Sequence, residues 1–321
     1  MMTKRTLLAS IAGLLLATVA ADAGAQSYPS APVKIIVPRS PGGGSDNITR
    51  LLGPELEKKL GQSVIIENRP DAAAVLGAEL VAKAKPDGYT VYLSDNAFYQ
   101  NPAVLPSVPY DTIKDFTAVT MLAQGPVILI VHPSVKATTL KELIDLAKKE
   151  KLTYASGGIG SSTHLVGVMM NLKAGIDITH VPFKSSGPAM NALLGNHVNM
   201  QFGGISSARP HVESGKVRAI ALTGAKRDAA MPNVPTFQES GLAGADVTSV
   251  WGMHMPKGTP VEVRKALRDA VVAVMREPEM TKKLADRGYD IIGNTPEEHQ
   301  KMTETLVNQW IEVGKTVNLK E

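Results

Sequence analysis

Ser156-Gly-Gly-Ile-Gly-Ser-Ser-Thr-His164 is the stretch on which the reading of this chain turns. A short apolar run, residues 152–155, precedes it. Leu165, Val168, Met169 and Leu172 follow at spacings of three, four and seven, which place them on one face of a helix. The glycine-and-hydroxyl run therefore joins a strand end to a helix start. Glycines let the backbone approach a ligand closely. Ser161, Ser162 and Thr163 suit an N-cap or a first helical turn. Helix N-termini present free N–H groups and about half a positive charge. Such a turn is a seat for an anion, most simply a carboxylate.

A second turn of this kind stands far upstream, Pro38-Arg-Ser-Pro-Gly-Gly-Gly-Ser-Asp46. It follows the apolar run 33–37 and opens a helical pattern carrying Ile48, Leu51, Leu52 and Leu56. Strands at 64–66 and 89–93, with a helix over 75–84, extend this to β-α-β-α-β, the signature of a parallel sheet covered by helices. Residues 101–110 are rich in proline and read as irregular. A second series follows, with strands at 127–131, 152–155, 178–183, 198–202 and 217–222. Helices at 140–149, 188–194 and 206–214 alternate with them. A strand at 247–255 and helices at 261–276, 279–287 and 296–317 close the chain.

The fold class is α/β, as two doubly wound lobes with a central cleft. Residues 26–125 plus 250–321 form one lobe and 126–249 the other. Ligands of open α/β sheets sit beyond the carboxyl ends of the strands. Loops 38–46, 94–97, 156–164, 183–187 and 203–206 would then meet around one small molecule.

Residues 1–25 read as a secretory signal. Lys4 and Arg5 are basic, residues 7–20 are apolar, and Ala23-Gly-Ala25 fits a cleavage site. The apolar run is short for a bilayer span, so export to the periplasm with cleavage near Ala25 is expected. The 321 residues less this segment are ample for two domains. No cysteine is present, so no disulfide forms. The net charge of +4 is spread along the chain without a block of like charges, which speaks against nucleic acid or a membrane surface as partner. Aromatics at 4% argue against a base-stacking surface.

The seven histidines show no metal spacing. Gly42-Gly-Gly44-Ser-Asp-Asn47 lacks the third spaced glycine of a dinucleotide site, and no Walker lysine follows either turn. No metal and no cofactor is implied. The competing reading is an exported serine hydrolase using Ser162. Gly160-Ser-Ser162-Thr-His164 misses the Gly-x-Ser-x-Gly elbow only at its last position, which is His164. No order among His180, His211 and His254 selects a triad, so a binder is favoured over an enzyme.

An ordered set of motifs resembles a known family. They are Pro38 to Asp46, Glu67-Asn-Arg-Pro70, Pro86-Asp-Gly-Tyr89, Ser156 to Leu165, His180-Val-Pro-Phe-Lys184, Gly215-Lys-Val-Arg-Ala219 and Val234-Pro-Thr-Phe237. The chain resembles the solute-binding proteins of tripartite tricarboxylate transporters, also called the Bordetella uptake gene family. The resemblance spans nearly the whole mature chain. It implies a monomeric periplasmic binding protein of Venus-flytrap form, a small carboxylate ligand, and membrane transporter components as partners.

The resemblance also carries over binding positions: Gly43, Gly44 and Ser45 on the first loop; Ser156, Ser161, Ser162, Thr163 and His164 on the second; Asn96 and Ser185 beside them. Arg39 stands where an apolar or small residue is usual, Asp71-Ala-Ala-Ala74 replaces a glycine-rich run, Val168 stands where an acid often follows, and Gly203 stands where the family often has Asp. Arg39 adds a donor for a carboxylate, or else pairs with an acid. Gly203 removes a partner for an amine and opens space. These changes point to a dicarboxylate without an amine, aromatic such as terephthalate or aliphatic. Phe183 and Phe98 are the residues to stack on a ring, or else each packs in the core. Asp46 reads as a helix cap, and Trp251 as core.

Overall fold

The computed structural model describes residues 28–71, 73–245 and 247–316. The proposed signal segment and its cleavage site lie outside the described residues. In the first sheet, β1 (Val33–Val37) runs parallel to β2 (Val64–Asn68) and to β3 (Thr90–Ser94). The sheet continues through β10 (Ser249–Pro256) and β4 (Phe116–Gly125) to the short edge strand β11 (Asp290–Ile291), in the order β11-β4-β10-β3-β1-β2. The second sheet has the order β7-β6-β8-β5-β9. Its strands are β5 (Val127–Val131), β6 (Thr153–Ser156), β7 (Thr179–Pro182), β8 (Met200–Gly204) and β9 (Arg218–Leu222).

Neither sheet is wholly parallel, which corrects the expectation. β10 lies antiparallel to β3 and β4, and β5 lies antiparallel to β8 and β9. These are the strands through which the chain crosses between sheets. Only Pro126 separates β4 of the first sheet from β5 of the second. The return crossing runs from the end of β9 to the start of β10. A strand that enters from the neighbouring lobe is free of the right-handed β-α-β crossover that forces parallel pairing.

Alternation along the strands explains why both faces are covered. Val33, Ile35 and Val37 join one buried cluster and Ile36 joins another on the opposite face. The same happens with Val127, Leu129 and Val131 against Ile128 and Ile130. In the first lobe, α1 (Gly44–Leu60) and α8 (Val261–Met275) cover one face. On the other face lie α2 (Val75–Ala82), α3 (Asn96–Val104) and the last helix, α10 (Pro296–Thr316). The second lobe carries α4 (Leu140–Ala147), α5 (Ser162–Ala174), α6 (Ser186–Leu194) and α7 (Ile205–Glu213). α9 (Pro278–Ala285) precedes β11.

α10 bridges the two lobes. Its Val307 belongs to a first-lobe core, while Trp310 and Val313 pack against the second-lobe core.

Three elements depart from the sequence reading, the short edge strand β11 among them. β4 was not expected at all, and α3 occupies residues read as loop and irregular chain. Pro102 lies inside α3 and supplies no N–H to the Phe98 carbonyl. The Thr112 hydroxyl donates to that carbonyl at 3.1 Å instead. A distant side chain therefore repairs the break that proline makes.

Candidate functional site between the lobes

Five helix starts and one crossover strand meet around a cavity of about 50 Å³. Gly43, Gly44 and Ser45 line it from the start of α1, Asp95 and Asn96 from α3, and Ser161, Ser162 and Thr163 from α5. Ser185 and Ser186 enter from α6, and Ser249 and Trp251 from β10. Arg39, Gly157 and Gly204 complete the lining, the last of these at the start of α7. The helices α1, α6 and α7 carry no side-chain cap. Their leading N–H groups are left for water or a ligand, and their dipoles add positive potential there. The Ser185 hydroxyl is buried without a partner.

The second-lobe turn is held from within. Ser161 Oγ donates to the Gly158 carbonyl at 2.6 Å and accepts from His164 N at 3.2 Å. Gly157 N donates to Thr163 Oγ1 at 2.8 Å. Gly160 has φ +69°, and a Cβ there would lie 2.8 Å from Asn101 Oδ1 of the first lobe. Only glycine meets both demands, the left-handed backbone and the close approach.

The first-lobe turn is braced by Asp46. Its carboxylate accepts from Gly42 N at 3.0 Å, Arg50 Nε at 2.9 Å and Asn68 Nδ2 at 2.9 Å. Asn68 Nδ2 also donates to the Arg39 carbonyl at 2.9 Å. Trp251 forms one wall. A Cβ on Gly44 would lie 2.7 Å from Trp251 Cζ2, so the indole packs directly on the start of α1. Tyr289 meets the indole edge-on at 4.9 Å and donates its hydroxyl to the Gly44 carbonyl at 2.8 Å.

Of the residues expected from sequence, Arg39, Gly43, Gly44, Ser45, Asn96, Ser161, Ser162, Thr163 and Ser185 line the cavity. Ser156, His164, Phe183 and Gly203 do not. Ser156 is fully buried, with its Oγ 2.6 Å from His180 Nε2. His164 stacks on the His180 ring at 4.4 Å, and Tyr154 stacks on His180 at 4.8 Å. These three rings support the turn from beneath. Phe183 packs against a second-lobe core. Gly203 opens no space, since a Cβ there would meet Gln201 Nε2 at 3.3 Å. Asp95, Gly157, Ser186 and Gly204 lie in the loops expected to meet there, and sequence reasoning missed Ser249 and Trp251. Asp95 is the N-cap of α3, accepting from Ala97 N at 3.0 Å, and a cap signal was the clue available.

The lobes also touch through residues outside the cavity lining. Ser40 N donates to the Lys184 carbonyl at 3.2 Å, and Arg209 Nη1 to the Asp286 carbonyl at 2.8 Å. The Ser162 hydroxyl meets Ser249 rather than a histidine, and no histidine lines the cavity. The geometry gives no support to a serine nucleophile. Among the described residues there is no cluster able to hold a metal, and no helix long and apolar enough to cross a membrane.

A solved structure described as a periplasmic transporter is 36% identical, with a TM-score of 0.88, covering 92% of this chain and 99% of that one. MatC of Rhodopseudomonas palustris, solved with bound malate, is 31% identical at a TM-score of 0.85, covering 89% of this chain and 100% of its own. An R. palustris protein solved with adipate is 32% identical at a TM-score of 0.87, covering 90% and 98%. The TctC model, described as the tripartite tricarboxylate transporter family receptor, matches residues 48–319. With that match over most of its length, the chain belongs to the TctC family of tripartite tricarboxylate transporter receptors.

Proposed function

We propose that this protein is a periplasmic solute-binding protein that closes on a small aliphatic dicarboxylate and presents it to the membrane components of a tripartite tricarboxylate transporter. The observation that carries this reading is the convergence of helix N-termini from both lobes on one cavity, three of them uncapped. One carboxylate takes the N–H groups and hydroxyl of Gly43, Gly44 and Ser45. The other takes those of Ser161, Ser162 and Thr163, with the Ser185 hydroxyl beside it. Anions at helix N-termini need no formal cation. The relatives solved with malate and adipate support a dicarboxylate.

The tightness of the cavity favours the aliphatic ligand over terephthalate. About 50 Å³ is room for only a few water-sized positions. Lobe limits at 26–125 plus 250–321 and 126–249 put the hinge at Pro126 and in the return crossing, so that a ligand held by both lobes stabilises the closed form. A monomer suffices for this, with export by the N-terminal signal. The reading has no catalytic step.

A thermal-shift and calorimetric panel of acetate, succinate, malate, adipate, citrate and terephthalate tests it. Succinate or malate should raise the melting temperature and leave unaltered ligand at the end. No shift with any carboxylate at millimolar concentration would overturn the reading, and a larger shift with terephthalate would restore the aromatic ligand.

A further inference from the structure

Arg39 and Asp95 are the two charged residues that line the cavity, and each is bound to the other. Arg39 Nε lies 2.6 Å from Asp95 Oδ2, and Nη2 lies 3.3 Å from Oδ1. The guanidinium is almost wholly buried. Burial works against its charge, but Asp95 outweighs that and holds it protonated. Asp95 is itself fixed as the cap of α3, and Asn68 fixes the Arg39 carbonyl. The first lobe alone thus sets where the guanidinium points. Its Nη1 then crosses the cleft and donates to the Gly157 carbonyl of the second lobe at 2.8 Å. Gly157 N is bound to Thr163, so this contact reaches the turn that opens α5.

We propose that Arg39 is a closure latch, aimed by Asp95, that holds the second-lobe glycine turn and favours the shut form before any ligand arrives. Opening the lobes breaks the charge-assisted Nη1 contact, which favours closure; it also rehydrates a buried ion pair, which offsets part of that gain. The ligand's own charge is left to the helix N-termini. A latch of this kind raises apparent affinity by raising the fraction of protein already in the binding form. Arg39 is a positioning residue in this account, acting through the Gly157 turn.

The test uses the ligand-free protein, so its failure would leave the carboxylate reading standing. Because the chain has no cysteine, Lys58→Cys and Lys141→Cys place one nitroxide on each lobe, both on exposed side chains. Pulsed electron-spin distances then report closed and open populations. Arg39→Met, Arg39→Lys and Asp95→Asn are compared with the parent chain. Asn caps helices as well as Asp, so Asp95→Asn keeps the start of α3. Arg39→Lys keeps the charge but cannot hold Asp95 and Gly157 together. Each variant should lower the closed-to-open ratio by about tenfold or more. A folded Arg39→Lys or Asp95→Asn protein with the parent's distance distribution would overturn the latch.

Discussion

The hydroxyls of Ser162 and Ser249 lie 2.7 Å apart, joining the first turn of α5 in one lobe to the first residue of β10 in the other. Both line the cavity, and the contact joins the two lobes, so under the proposed closure it is made only in the shut form. Ser162→Ala should weaken binding of a malate probe by about threefold to tenfold, the worth of one hydrogen bond of about 0.5–1.5 kcal/mol. A double-mutant cycle with Ser249→Ala separates this contact from the hydroxyl's own contact with ligand. Additive losses, with no coupling between the two serines, would show that the bond does not contribute to closure.

Among the glycines that line the cavity, Gly44 has the least room for a side chain. Its Cβ would come within 2.7 Å of the Trp251 ring, which cannot yield without disturbing its packing on Tyr289. Gly44→Ala should destabilise the protein by about 1–3 kcal/mol through overpacking. It should also change the tryptophan fluorescence and abolish the ligand-induced thermal shift. A variant with parental fluorescence and parental binding would show that the indole does not form the wall described.

The first lobe should be sensitive to acid through two buried histidines. His254 and His299 lie 4.5 Å apart, and burial drives both below the ordinary histidine range. His254 is lowered further by His299, and His299 is pushed down to about 3. The unfolded chain therefore binds protons that the folded chain refuses. Stability is full above about pH 6.5 and falls as the pH drops toward 3. His299→Gln should make the decline of melting temperature between pH 6.5 and 4 less steep. An unchanged slope would assign the acid loss to carboxylates instead.

Local periodicity made the two β/α series and both glycine turns legible, because each signal lies within one short stretch. What failed was non-local. α3 was hidden by Pro102, and the hydroxyl that compensates for it comes from Thr112. Trp251 and Ser249 reach the cavity on a strand that returns from the other lobe, so no neighbouring motif announces them. Arg39 was visible as a charge beside the turn, but its partner Asp95 stands 56 positions away. Ser156 and His164 show the converse. Sequence places them in the turn but not on a side of it, and their side chains face His180 beneath the cavity.

Asn96 shows why lining a cavity and binding its contents are separable. Its amide acts toward β10 as another strand would. Nδ2 donates to the Thr248 carbonyl at 2.9 Å, and Oδ1 accepts from Val250 N at 2.9 Å. These two bonds fix the point where the crossover strand brings Ser249 into the cavity. Asn96→Ala leaves a buried N–H and a carbonyl without partners, at a cost of about 2–4 kcal/mol. It should therefore lower the melting temperature more than it lowers affinity for malate. Asn96→Asp still accepts from Val250 N but sets a carboxylate against the Thr248 carbonyl, so its stability should lie no higher than that of the alanine variant. A variant that loses affinity while keeping the parent's melting temperature would mean that Asn96 serves the ligand and not the strand.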